Sequence, residues 1–343
     1  MRKTLIVMTF LASPSLLAHE STTSASLASG AISHAPLGVM GDHTHKTGEW
    51  MFSYRYMRME MDGNLDGSQT RSASQITGTM MNPGPYMVAP RKMTMDMHMF
   101  GAMYAPNDKV TMMVMLPLLK NEMDHVTRMG AMFTTESEGV GDAKVSALVN
   151  VYHSLDRRHR VHLNLGLSLP TGSIDERDDT PAMSNALLPY PMQLGSGTYD
   201  LLPGITYQAY SNQYNWGAQL MVTHRLSEND NDYTLGDRYE LNTWLARSWS
   251  PSLSSSLRLK HSSWDNIDGR NPELNPMMVP TADPSAQGGE RSDVAIGANY
   301  LFTAGSLKGQ RLAVEYSVPF YQELDGPQMD VQSALNIGWQ YAF

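Results

Sequence analysis

The chain has 343 residues with 25 basic and 34 acidic side chains, a net charge of −9 that argues against nucleic acid as a partner. It has no cysteine, so disulfides and thiolate chemistry are excluded. No stretch approaches the ~18 uninterrupted apolar residues of a membrane-crossing helix, which leaves a soluble exported protein or a β-barrel.

The first element is a signal peptide over residues 1–18. Arg2 and Lys3 precede a short apolar run, and cleavage is expected after Ala18. The mature chain then carries 23 basic and 34 acidic residues, a net charge of −11. Residues 19–47 are rich in Ser, Ala, Thr and His without a period. They read as a flexible, His-containing periplasmic segment.

Alternation with period two then recurs. It predicts strands near 48–61, 91–104, 109–120, 139–153, 159–171, 196–209, 213–226, 233–249, 252–264, 291–303, 308–321 and 328–343. These make an all-β fold, a transmembrane antiparallel barrel of twelve strands over 48–343 with both termini in the periplasm. Tight connections fall on the periplasmic side and long ones outside, the asymmetry of outer-membrane barrels. The long loops are expected near 62–90, 121–138, 172–195 and 265–290. The last strand puts Val331, Leu335, Ile337, Trp339, Tyr341 and Phe343 on one face. An aromatic-terminated strand of this kind resembles the signal read by the barrel-assembly machinery. The expected location is the bacterial outer membrane, with its lipid as the surrounding partner.

Inner rows follow from the same alternation. Asp142, Lys144, Arg160, His162, Arg238, Glu240, Arg258, Lys260, Arg311 and Glu315 are expected in the lumen. In "KMTMDMHMF" (92–100) the methionines Met93, Met95, Met97 and Met99 are assigned to lipid, and Asp96 and His98 to the lumen.

Three strings, "GVGDAKVSALVNVY" (139–152), "LNLGLSLPTGS" (163–173) and "QLGSGTYDLLPGITY" (193–207), form a pattern. It resembles the bacterial outer-membrane family named for the MetA pathway of phenol degradation, whose members are often described as transporters. The resemblance implies a channel for small solutes. The N-terminal third departs from the family pattern and is similar to a Met- and His-rich subgroup associated with copper handling.

Methionine supplies 27 residues, 19 of them between Met40 and Met132. Thioethers suit Cu(I) or Ag(I), often beside imidazole; they also serve as flexible apolar filler. The metal-ligand candidates are Met57, Met59, Met61, Met80, Met81, Met123, His125 and Met129 at the extracellular mouth. His43 and His45, with His34 and Met40 nearby, are candidates in the N-terminal segment. No cofactor is required by any motif, and copper is the ion this donor set suits. No G-x-S-x-G, H-E-x-x-H or P-loop string is present, so no enzyme is expected. Uptake of small aromatic or apolar compounds, or a closed structural barrel, are the alternative readings.

Overall fold

The computed structural model describes residues 30–343. The expected signal peptide, its cleavage point and residues 19–29 lie outside the described residues.

The wall is built from β1 (Trp50–Gly67), β2 (Val88–Asn107), β3 (Val110–Thr127), β4 (Met132–Val140), β5 (Ala143–His153) and β6 (His159–Leu169). It continues through β7 (Asp200–Tyr210), β8 (Tyr214–Arg225), β9 (Arg238–Ser248), β10 (Leu253–Trp264), β11 (Gly289–Leu301) and β12 (Gln310–Ala342). Neighbours pair antiparallel in chain order, and β12 pairs back onto β1 to close the ring. Eleven elements form that ring among the described residues. β4 and a short strand, Gln69–Arg71, pair at its margin.

β12 supplies two staves. Its first half is registered on β11 from Arg311 to Leu324, and its second half on β1 from Leu324 to Ala342. The reversal is at Gly326, whose φ of +85° is one that only glycine adopts freely. The barrel therefore crosses the membrane with twelve strands, and the first described residues and the end of β12 lie at the end with the tight turns, the periplasmic end.

Outward rows are apolar because each faces lipid. Leu253, Leu257 and Leu259 are exposed on β10, and Leu312, Val314 and Tyr316 on β12. Trp50, Tyr104, Phe52 and Phe343 cluster at the periplasmic rim, with ring centroids 4.6–6.2 Å apart. Toward the other end the outer face of β1–β4 turns charged. Arg58, Asp96, Lys120 and Glu138 stand in one cross-strand row, and Glu60, Thr94, Glu122 and Glu136 in the next. Charges on a lipid face cost about 2–4 kcal/mol each at mid-bilayer, so this part of the wall projects beyond the hydrocarbon.

That projection changes one expected loop. Residues 121–138 form a hairpin, because β3 continues to Thr127 and β4 begins at Met132. The remaining long loops fold over the outer end. Tyr190, Tyr233 and Ile267 from three loops make a small core there, and Arg177 pairs with Glu273 at 2.8 Å.

The expectation of a flexible segment over 19–47 is corrected for its described part. Residues 30–47 enter the lumen, and Ala31, Ile32, Ala35, Leu37 and Val39 are buried. Their backbone carbonyls are taken by inward side chains of the wall. Arg311 donates to the Ala31 carbonyl (2.7 Å), Asn215 to Ile32 (2.8 Å) and Tyr210 to Ser33 (3.0 Å). Gln219 donates to Met40 (2.8 Å), and Asn164 to Gly41 (3.2 Å). A buried carbonyl without a donor costs free energy, so the polar lumen is the reason this segment sits there. Gly38 lies directly on the Arg258–Glu315 ion pair, where an added methyl would overlap both side chains.

Candidate metal centre

The buried segment brings three imidazoles together. The His34 and His45 ring centroids lie 3.9 and 4.9 Å from that of His43. His34, Asp42 and His43 each offer a ligand atom within 4.8 Å of the others. The Asp42 carboxylate meets His43 Nδ1 at 2.7 Å and accepts the Ala35 amide at 2.7 Å. Glu49 lies 3.4 Å from His45 Nδ1. These carboxylates orient the rings as the outer shell of a metal site does. His34 Nδ1, His43 Nε2 and His45 Nε2 are buried and have no hydrogen-bond partner. Unpartnered buried nitrogens are costly, and a metal ion would satisfy them.

Burial holds two of the rings neutral, the form that ligates. It pushes His34 well below the usual imidazole range, with Arg311 adding to the effect. Burial and then the neighbouring His43 bring His45 down to about 4. Burial alone would raise Asp42, but the neighbouring His43 and its hydrogen bond, with His34 and the Ala35 amide, take it below the usual carboxylate range.

Beside His43 stands sulfur. A cavity of about 40 Å³ is lined by Met40, Asp42 and His43 on the segment and by Met51, Met99, Met103, Met113 and Met115 on the wall. Arg55 enters the same cavity from β1, and the Asp42 carboxylate supplies the opposing charge. That volume suits one ion or one water.

The strand faces explain the sulfur and correct one expectation. Met93, Met95, Met97 and Met99 face the lumen, while Asp96 and His98 face outward. The β1–β2 register sets Met51 opposite Met103 and Met61 opposite Met93. It also sets Tyr54 opposite Phe100 and Tyr56 opposite His98. Cross-strand partners share a face, so the outward row of Trp50, Phe52 and Tyr54 carries His98 and Asp96 with it. His98 Nδ1 meets the Tyr54 hydroxyl at 2.7 Å, and Asp96 accepts from Arg58 and from Tyr56.

The remaining candidates divide. Lys144, Arg160, His162, Arg258, Lys260, Arg311 and Glu315 occupy inward rows, and Arg238 and Glu240 lie 3.4 Å apart on β9. Asp142 caps a loop, accepting from the amides of Gly172 and Ser196. The mouth methionines do not form one site. Met80, Met81 and Met129 are 73%, 98% and 79% exposed and point into solvent. Met61 and Met123 are buried together, with Met59 against them, and Met57 faces the lumen below. His125 is stacked on Phe133 at 4.8 Å. His34 and Met40 were legible as neighbours of His43 and His45. The inward methionines of β2 and β3 were missed; the β1–β2 register turns them inward, and the short turn near 105–109 carries that facing on to β3.

Among curated protein sequences, none matches the chain. Among solved structures, an outer-membrane channel from Pseudomonas putida F1 is similar, with TM-score 0.64 and 15% identity over 90% of this chain and 100% of that one. A Pseudomonas aeruginosa FadL homologue is similar at TM-score 0.43 and 8% identity, over 86% of this chain and 90% of that one. The first shares the whole fold, that of an outer-membrane channel. The family model described as "Putative MetA-pathway of phenol degradation" matches residues 81–270, more than half of the chain. The chain belongs to that family.

Proposed function

We propose that this channel-type barrel binds copper in its lumen, at the seam between the buried N-terminal segment and the methionines of β1–β3. One observation carries the reading. Three clustered imidazoles each have a nitrogen with no partner, and one of them, His43, lines a small cavity whose other wall is thioether. Imidazole suits copper in either common oxidation state, and thioether favours Cu(I). With no cysteine in the chain, methionine is the available soft sulfur, and it cannot be lost to disulfides in an oxidising compartment.

The family description supports a second reading, passage of small aromatic or apolar compounds, for which the same flexible methionines would make an adaptable apolar surface. Chelator competition separates the two. The refolded mature barrel should hold one Cu(I) equivalent against a chromophoric chelator, and the His34→Ala/His43→Ala variant should release it. Equal retention by both proteins, or none by either, would overturn the copper reading.

A further inference from the structure

The methionines do not stop at the cavity. β1 carries four, β2 five and β3 four, and of these thirteen only Met112 faces lipid. Apart from Met112, Ala102 and His98, the lipid rows of the same strands are made of Trp, Phe, Tyr, Val and Leu. A composition merely rich in methionine would place it on both faces, and apolar filling of the lumen would be served equally by Leu. The inward rows of β1–β3 hold a single Leu, Leu119. Sulfur is therefore sorted by face.

The register stacks this sulfur in consecutive levels, two residues or roughly 7 Å apart along the strands. Met51, Met103 and Met113 share the lowest level beside the cavity. Met115 and then Met99 hold the next two, and both pack with Met40 and the lowest level. Met57 and Met97 face each other above them, and Met59 and Met95 above those. Met61, Met93 and Met123 complete the top, where Met192 from a loop and Met329 from β12 join them. Every level has a thioether. The two ends are packed clusters, and Met57 and Met97 bridge them.

We infer that this wall is a thioether track on which a soft monovalent cation, Cu(I) or Ag(I), passes from the outer-end methionine cluster to the histidine cavity. The track deepens the copper reading and rests on it for its inner terminus. Each transfer exchanges one thioether lone pair for another at the same metal charge, so no electron or proton moves. Adjacent levels lie within reach of flexible Met side chains, each with three rotatable bonds. The barrel's other inward rows present mainly Asn, Gln, His and charged side chains such as Asn164, Gln219, Lys260 and Glu315, with Met221 opposite Glu240 on β8, so soft ligands are concentrated on one side.

The test uses Ag(I), which is redox-inert. The full mature barrel, labelled at the methionine methyl carbons and refolded in lipid nanodiscs, is titrated with silver nitrate. Methyl resonances of both clusters and of Met57 and Met97 should shift, while Met112 stays still. In vesicles, Met57→Leu/Met97→Leu should slow Ag(I) entry at least tenfold, and Met112→Leu should not. Shifts confined to Met40, Met51, Met103 and Met113 would overturn the track and leave the cavity standing. Shifts in no methionine at all would overturn the track outright. Failure of the copper reading is distinguished separately, by His34, His43 and His45 ring signals that do not respond to copper.

Discussion

Replacing Glu315 by Gln should cost far more stability when the N-terminal segment is seated than when it is absent. Glu315 Oε1 lies 2.6 Å from Arg258 Nη2, and the two side chains are 1% and 6% exposed. Gly38 lies over this pair, so residues 30–47 keep water from it. Glu315→Gln keeps the shape but strands the Arg258 guanidinium, whose remaining side-chain partner is Asn242 at 2.8 Å. Breaking a buried pair on one side costs about 3–5 kcal/mol. In a chain lacking residues 30–47, lumen water reaches the pair, and the same change costs about 0.2–1 kcal/mol, as for an exposed pair. The coupling between segment and ion pair is then about 3 kcal/mol. Urea unfolding of the refolded barrel in vesicles, followed by tryptophan fluorescence, measures all four corners of this cycle. Equal losses with and without residues 30–47 would refute the seating of the segment on Arg258 and Glu315.

The absence of cysteine makes the face assignment testable: His98→Cys should react with a lipid-soluble maleimide, and Met97→Cys should be protected from it. Gly41 has φ +58°, and an added Cβ would lie 3.0 Å from Asn164 Nδ2. Gly41→Ala should therefore destabilise the barrel by about 1–2 kcal/mol, read as a lowered urea midpoint. Asp42→Asn removes the charge that orients His43 while keeping an acceptor for the Ala35 amide. It should weaken copper binding about 10–100-fold in the chelator competition without shifting the unfolding midpoint appreciably.

Much of the architecture was legible in the sequence because a barrel strand alternates strictly. Strands such as "RVHLNLGLSLP", with Leu at every second position, admit one reading of the faces, and Arg160 and His162 lie inward beside Gln208 and Thr206. "KMTMDMHMF" resisted because hydropathy inverts the answer there. Methionine is apolar and Asp96 is charged, so the row was assigned to lipid by transfer energy alone. Register outranks that preference. Trp50 and Phe52 are outside, the β1–β2 register pairs Trp50 with Tyr104, and every odd-numbered residue of β2 from Met93 to Met103 must then face in. Asp96 tolerates the outer face because it pairs with Arg58 and Tyr56 where the wall has left the hydrocarbon.

The histidine cluster was only half legible. The spacing of His43 and His45 marked a possible ligand pair, but residues 30–47 have no period to reveal that they fold. Their place is set by tertiary contacts such as Arg311 to Ala31 and Asn215 to Ile32, between residues about 180 to 280 positions apart. Local propensity carries no trace of those contacts.

The most direct test of a copper site shared by the segment and the wall is X-ray absorption at the copper edge of the loaded, refolded barrel. The account predicts imidazole nitrogen and sulfur in the same first coordination shell, and in a chain without cysteine that sulfur can only be methionine. A shell of nitrogen and oxygen alone, or a barrel that retains no copper, would contradict it.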